Sequence, residues 1–537
     1  MLLVGCSGLE KERVDLIVHN ATIYTVDEAF SQAQAMAIRN DTIVAVGAER
    51  EIRNRYQGAR EVDARKQFIY PGFIDGHCHF WAYAEGFARI DLMGTPSWEA
   101  CLKKLEDFAA QHEGEWILGR GWDQNDWSDT RFPTKASLDA LVPDRPVLLY
   151  RVDGHAALAN SKALELAGIS ETTKVEGGEV VLEGGTPTGL LIDRAIDLVS
   201  DLIPPADRTQ MERVLGQAQS ACFARGITSV VDAGLRHRQI QLLDSLQRDS
   251  VLRMRIYAML SDHPENYEHY LERGPFSTSH LHVASFKLYA DGALGSRGAA
   301  LLEPYSDDPD NLGLILYPKA YFQEKAQLLY DHGFQMNVHC IGDSANRMIL
   351  DVFGEVLGGV NDRRWRIEHA QVVHPDDLAK FRAYTVIPSV QPTHATSDMY
   401  WAEERLGDRI AYAYTFRSLL EQNRIMALGT DFPVEGIDPL RTFYAAVFRQ
   451  DTALYPEGGF QADQALTREQ TLRGMTLGNA LAQFEEEYKG SLEPGKLADF
   501  VILDSDLMQV PQEKMLNTQV IATYVGGEQV YSATTNP

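Results

Sequence analysis

Basic charge is scarce in this chain of 537 residues: 50 Lys and Arg stand against 76 Asp and Glu, a formal net charge of −26. That balance argues against non-specific binding to nucleic acid or to anionic membrane surfaces. Cysteine is scarce as well. The five residues Cys6, Cys78, Cys101, Cys222 and Cys340 do not make a disulfide framework. No run approaches the roughly 20 apolar residues needed to span a bilayer. There are no internal repeats or low-complexity tracts. Hydrophobic residues make up 45% and charged ones 23%, as in an ordinary globular protein. The length predicts two or three domains. At the start, Leu3-Val4-Gly5-Cys6 resembles a lipobox, yet the basic region and most of the apolar region of a signal peptide are missing. Two locations stay open: the cytoplasm, or export with a lipid anchor on Cys6.

What the chain does have is a countable series of apolar, strand-like runs. They are FIDGHCHF (73–80), ITSVVDAG (227–234), RMRIYAML (253–260), ASFKLYADG (284–292), QMNVHCIG (335–342), RWRIEHAQ (364–371), TVIPSVQP (385–392) and RIMALGTDF (424–432). Helical stretches such as 209–226, 321–333 and 374–384 separate most of them. Strands alternating with helices imply a parallel sheet, and eight such units imply an α/β fold, a closed (β/α)8 barrel of the TIM type.

Both chain ends read as short strands instead, for example DLIVHNATIYT and AMAIRNDTIVAVG at one end and ADFVILD and VIATYVGGEQVYS at the other. They predict one β-sandwich built from residues 8–69 plus 485–537, with the barrel over 70–484. Between the first two barrel runs lies far more chain than one helix needs. It reads as an inserted cap subdomain, 95–208, over the active site, because loops after barrel strands build that face.

Strand ends carry the chemistry. In YPGFIDGHCHFW, His77 and His79 lie one residue apart, so on a strand they project to one side and can share one metal ion, while Cys78 points the other way. Cys78 and Cys340 read as barrel packing. Further metal-capable residues end other runs: Lys287 the fourth, His339 the fifth, His369 the sixth and Asp431 the eighth. Strand C-termini converge on one mouth in such a barrel. Imidazoles with a carboxylate suit zinc and similar divalent ions. A bound metal lowers the pKa of water to about 7, giving hydroxide at neutral pH. Asp431 in LGTDFP is placed to take a proton from that water and pass it to a leaving nitrogen, as general base and then acid. An ammonium cannot coordinate a cation, so Lys287 joins the set only as an N6-carboxylated lysine bridging two metals. The plainer alternative is a buried lysine paired with Asp291.

These motifs resemble the amidohydrolase superfamily over nearly the whole chain. Within it, FKLYADGALGSRGAAL, NVHCIGD, RIEHAQ, SVQPTHATSD, LGTDFPVE, GWDQNDW and DGHAALANSKAL resemble the YtcJ-like branch, which includes N-substituted formamide deformylases. The resemblance implies a binuclear centre of the zinc type. His77, His79 and Asp431 would hold the more buried ion, His339 and His369 the more exposed one, and carboxylated Lys287 would bridge them.

Substrate-binding candidates are Trp122, Asp123 and His155 in the insertion, and Asp291, Arg297 and His394 beyond strand ends. Trp122 and Trp127 read either as aromatic pocket walls or as anchors of the insertion. The expected partner is a small molecule, and a homo-oligomer stays open. The leading reading is a metal-dependent hydrolase of a carbon–nitrogen bond other than an ordinary peptide bond: an amide, formamide or cyclic amide. The rivals are a deaminase or dipeptidase on the same barrel, and a non-catalytic ligand-sensing regulator. Lys287, and the lack of an obvious His-Glu pair on a helix, speak against the deaminase.

Overall fold

The structure is a computed structural model that describes residues 11–111, 114–152, 154–176, 178–204 and 207–533. Cys6 and the lipobox-like segment lie outside the described residues. The described chain divides into two compact units. One comprises the chain up to Trp81 together with the chain from Gln219 onward; the other is Ala82–Ala218. No helix of the described residues is long and apolar enough to cross a membrane.

Eight parallel strands order the first unit: β1 (Phe73–Cys78), β2 (Ile227–Leu235), β3 (Arg255–Ser261), β4 (Leu281–Tyr289), β5 (Gln335–Cys340), β6 (Arg366–His369), β7 (Ile387–Val390) and β8 (Ala427–Leu428). All eight fall within or overlap the apolar runs of the sequence. Each pairs with the next in chain order. Strands covered on both faces are buried along their length, and β1, β6 and β7 are buried at every position. The eight strands form a nearly closed (β/α)8 barrel. Its ends meet at the mouth, where Asp431 donates its N–H to the His77 carbonyl at 2.8 Å and His79 donates to the Phe432 carbonyl at 2.8 Å. Gly429 permits that approach: a Cβ there would stand 2.4 Å from the His77 nitrogen.

Helices return the chain between strands. Asp343–Leu357, between β5 and β6, buries Ala345, Ile349, Val352 and Phe353. It ends at Gly358, whose φ of +70° suits a residue without a Cβ.

Both chain ends contribute to a second layer. Glu12–His19, Ala35–Arg39, Thr42–Gly47 and Tyr56–Asp63 make a four-stranded sheet. Phe68–Pro71 and Thr22–Tyr24 join Phe500–Leu503, Val520–Val525 and Glu528–Ser532 in another. One apolar cluster fills the space between them, with Leu16, Val18 and Met36 from the first and Ile23, Ile69, Phe500, Ile502 and Tyr524 from the second. Gly526 and Gly527, at φ +57° and +74°, make the last hairpin turn.

The Ala82–Ala218 unit carries its own six-stranded sheet, from Arg89–Asp91 to Gly178–Glu183, and its own apolar clusters.

Candidate metal centre

Barrel strands deliver their last residues to one place. His77 and His79 flank Cys78 at the end of β1, and the alternation of the strand puts both imidazoles on one side. Both Nε2 atoms face Asp431, at 3.7 Å and 3.3 Å from its Oδ1, while the Cys78 thiol turns away and donates to the Val231 carbonyl. The rings of His77 and His369 lie 4.9 Å apart, and those of His369 and His339 4.5 Å. Lys287, on β4 and buried, brings its Nζ to 3.4 Å from His77 Nε2. Ligand-capable atoms of His77, His369 and Asp431 all lie within 4.8 Å of one another. The structure thus brings together His77, His79, Lys287, His339, His369 and Asp431. His394 joins them, its ring stacked on that of His369 and its Nε2 3.6 Å from Asp431 Oδ2.

Two of these residues have left-handed backbone: His369 at φ +73° and Asp431 at φ +63°. Non-glycine residues adopt that region at a cost of order 1–3 kcal/mol, and it persists where the surroundings over-determine it. In β6 the turn of the backbone redirects His369 toward His77 and His339.

Partners behind the imidazoles set which nitrogen faces inward. His77 Nδ1 hydrogen-bonds Glu368 Oε2, and His369 Nδ1 hydrogen-bonds Gln391 Oε1 at 2.7 Å. In each ring Nδ1 is the donor and Nε2 keeps its lone pair toward the cluster. Burial, with Lys287 beside it, lowers the pKa of His77 to about 4 and of His339 to about 3. Burial and His339 hold His369 well below the usual imidazole range. Burial thus favours the neutral form of these rings, the form that binds metal. Burial works against ionisation of Asp431, but His79, His77, His369 and His394 together keep its carboxylate well below the usual range.

The polar accounting fits a cation. His339 Nε2, His394 Nε2 and Asp431 Oδ1 are buried with no hydrogen-bond partner. Lone pairs gathered in a buried space cost free energy unless something positive or proton-bearing satisfies them. The donor set, imidazole nitrogen plus carboxylate oxygen, is the one that divalent ions of the zinc type take.

Other expected residues are engaged with other partners. Asp291 is not free for substrate: its two oxygens accept from the backbone N–H groups of Ile341, Gly342 and Ala300. Burial raises its pKa to about 7 against those bonds. Nor does it pair with Lys287, whose Nζ is directed at His77. Arg297 is engaged with Asp307, its Nη2 2.7 Å from Oδ2. Within the Ala82–Ala218 unit, Trp122 corrects the expectation of a pocket wall. Its ring is fully buried in that unit's core, and Nε1 donates to the Leu149 carbonyl. Trp127 packs in the same cluster with Nε1 on the Thr95 carbonyl. Asp123 accepts from the Asn125 N–H and pairs with Arg151. His155 is 77% exposed and meets Asp193 at 2.8 Å.

Sequence reasoning missed Glu368, Arg366 and Gln391. The available signal was RIEH itself, a strand in which three of four residues are ionisable although barrel strands are apolar.

The model of the amidohydrolase family matches residues 60–531. The chain belongs to that family. It is a hydrolase of carbon–nitrogen bonds. It is 35% identical to the protein LONG AFTER FAR-RED 3 of Arabidopsis thaliana over 96% of this chain and 91% of that one. It is 26% identical to the N-substituted formamide deformylase of Arthrobacter pascens, over 97% of this chain and 99% of that one. Among solved structures, an uncharacterized metal-dependent hydrolase from Pyrococcus furiosus superposes with a TM-score of 0.76 at 29% identity, covering 92% of this chain and all of that one.

Proposed function

We propose that this hydrolase cleaves an amide, formamide or cyclic amide at a binuclear centre of the zinc type. The observation that carries the reading is the convergence of unpartnered lone pairs at the barrel mouth, on His339, His394 and Asp431. His77, His79 and Asp431 would hold one ion, His339 and His369 the other. Lys287 is buried beside His77, where N6-carboxylation would turn it into a bridging ligand. When bound, a divalent metal activates water at neutral pH and polarises a carbonyl.

The chain's own groups do the rest. Asp431 takes a proton at its carboxylate and returns it to the leaving nitrogen. Its position is held by the backbone bond to His77. His394 lies on the other carboxylate oxygen, at hand to orient a substrate carbonyl or leaving group. The formamide deformylase among the relatives supports the choice of a non-peptide carbon–nitrogen bond.

The test is metal analysis of the purified chain joined to a screen of N-formyl, N-acyl and cyclic amides. Stoichiometric divalent metal with metal-stimulated turnover on one of these classes is the expected result. No bound metal and no metal-stimulated turnover would sink the reading. Turnover confined to aminopurines or to dipeptides would replace it with the deaminase or the dipeptidase.

A further inference from the structure

Two imidazoles of the centre are held from behind by unlike groups. His77 Nδ1 meets a carboxylate, Glu368. His369 Nδ1 meets a neutral amide, Gln391, at 2.7 Å. Glu368 is anchored in turn by Arg366. The Arg366 Nε lies 2.7 Å from Glu368 Oε1, and its Nη2 donates to Glu368 Oε2 at 3.1 Å. The same Nη2 reaches the Gly76 carbonyl at 2.6 Å and Ser389 Oγ at 2.8 Å. His77, Arg366 and Glu368 are all fully buried.

Stability alone does not explain a charged pair there. Removing two charges from water costs several kcal/mol per ion, and apolar residues of similar volume often do as well. What the pair provides is a charged acceptor that cannot swing away. A carboxylate accepts the Nδ1 proton more strongly than an amide does, which raises the donor strength of the opposite Nε2 and fixes the ring. The amide behind His369 is the weaker support, and its own Nε2 is buried with no hydrogen-bond partner.

We propose that Glu368, clamped by Arg366, is a positioning residue that makes the metal position at His77 tighter than the one at His369. This rests on the binuclear reading above. It goes beyond it by ranking the two positions and naming the residues that set the rank.

Zinc titration of the metal-free full chain against a chromophoric chelator tests it, with Glu368→Gln and Gln391→Glu beside the wild type. The wild type should bind in two unequal steps. Glu368→Gln should weaken the tighter step by about 10–100-fold and leave the other in place. Gln391→Glu removes only an unpartnered amide donor and should tighten the weaker step by roughly tenfold. A merely structural role for the Arg366–Glu368 pair would lower the unfolding midpoint of the metal-free chain without that pattern. If Glu368→Gln fails to fold, Gln391→Glu decides alone. Affinities within about twofold of wild type in the folded variants overturn this inference while the metal reading stands. A wild-type chain that takes up no zinc overturns the metal reading itself, and this inference with it.

Discussion

Asp431 is tied to His77 twice: its N–H donates to the His77 carbonyl at 2.8 Å, and its Oδ1 lies 3.7 Å from the His77 Nε2. The first contact closes the barrel between β8 and β1. The second places a carboxylate against an imidazole. Barrel closure and site geometry are thus one event, and the left-handed backbone of Asp431 is held in place by that closure.

Because the backbone bond does not depend on the carboxylate, Asp431→Asn should fold normally. It should lower kcat by about 10²–10⁴, the usual worth of a positioned proton-transfer group. Turnover of the responding amide class, with zinc content and unfolding midpoint measured alongside, checks this. A variant that keeps kcat within about tenfold of wild type would remove Asp431 from the proton path.

Lys287 makes a different prediction. If its Nζ carries a carboxylate, bicarbonate should speed reconstitution of the metal-free chain. Lys287→Ala should lose that response and fall from two zinc ions per chain to about one, because it removes the carboxylate that would bridge them. Metal stoichiometry by elemental analysis, with and without bicarbonate, is the measurement. Two ions retained by Lys287→Ala would show that the bridge is something else.

The barrel was legible because its physics is local: a strand covered on both faces reads as a mostly apolar run, as ITSVVDAG and TVIPSVQP do. The convergence of His77, His339, His369 and Asp431 follows from topology once the strands are counted. Glu368 and Gln391 were not legible, since a residue that supports a ligand from behind is defined by a contact across strands. Glu368 meets His77 from far along the chain. Asp291 and Trp122 were misread for a related reason. A polar residue after a strand serves backbone N–H groups as readily as it serves a substrate, and Asp291 accepts three of them. A tryptophan in a loop-like GWDQNDW is as useful to an inserted core as to a pocket.

That correction can be tested. Trp122 is enclosed among Ile90, Leu92, Leu105 and Leu149 in the core of Ala82–Ala218. Trp122→Ala should cost about 3–5 kcal/mol by opening a cavity and leaving the Leu149 carbonyl without its indole donor. Urea unfolding followed by a probe within that unit should show an earlier transition. An unchanged transition combined with a raised KM would return Trp122 to the pocket wall.

The last prediction concerns the joint between the barrel and the terminal strands, and it depends on pH. Arg255 of β3 and Asp499, just before Phe500–Leu503, form a buried bidentate pair at 2.6 Å and 3.0 Å, and the Gly526 N–H adds a third bond at 2.7 Å. Burial alone would raise the Asp499 pKa, but Arg255 and the Gly526 N–H more than offset it and leave the group below its ordinary value. A carboxyl whose folded pKa lies below its unfolded value stabilises the fold above the unfolded value, about 3.9, and loses that contribution as pH falls through the folded one. Asp499→Asn should therefore cost about 3–5 kcal/mol at neutral pH, where it strands the Arg255 guanidinium in the interior. The gap between variant and wild type should shrink as the pH drops below about 4. Urea midpoints for both proteins across that range measure it. A gap that stays constant with pH would mean that Asp499 contributes through its shape and hydrogen bonds, and not through its charge.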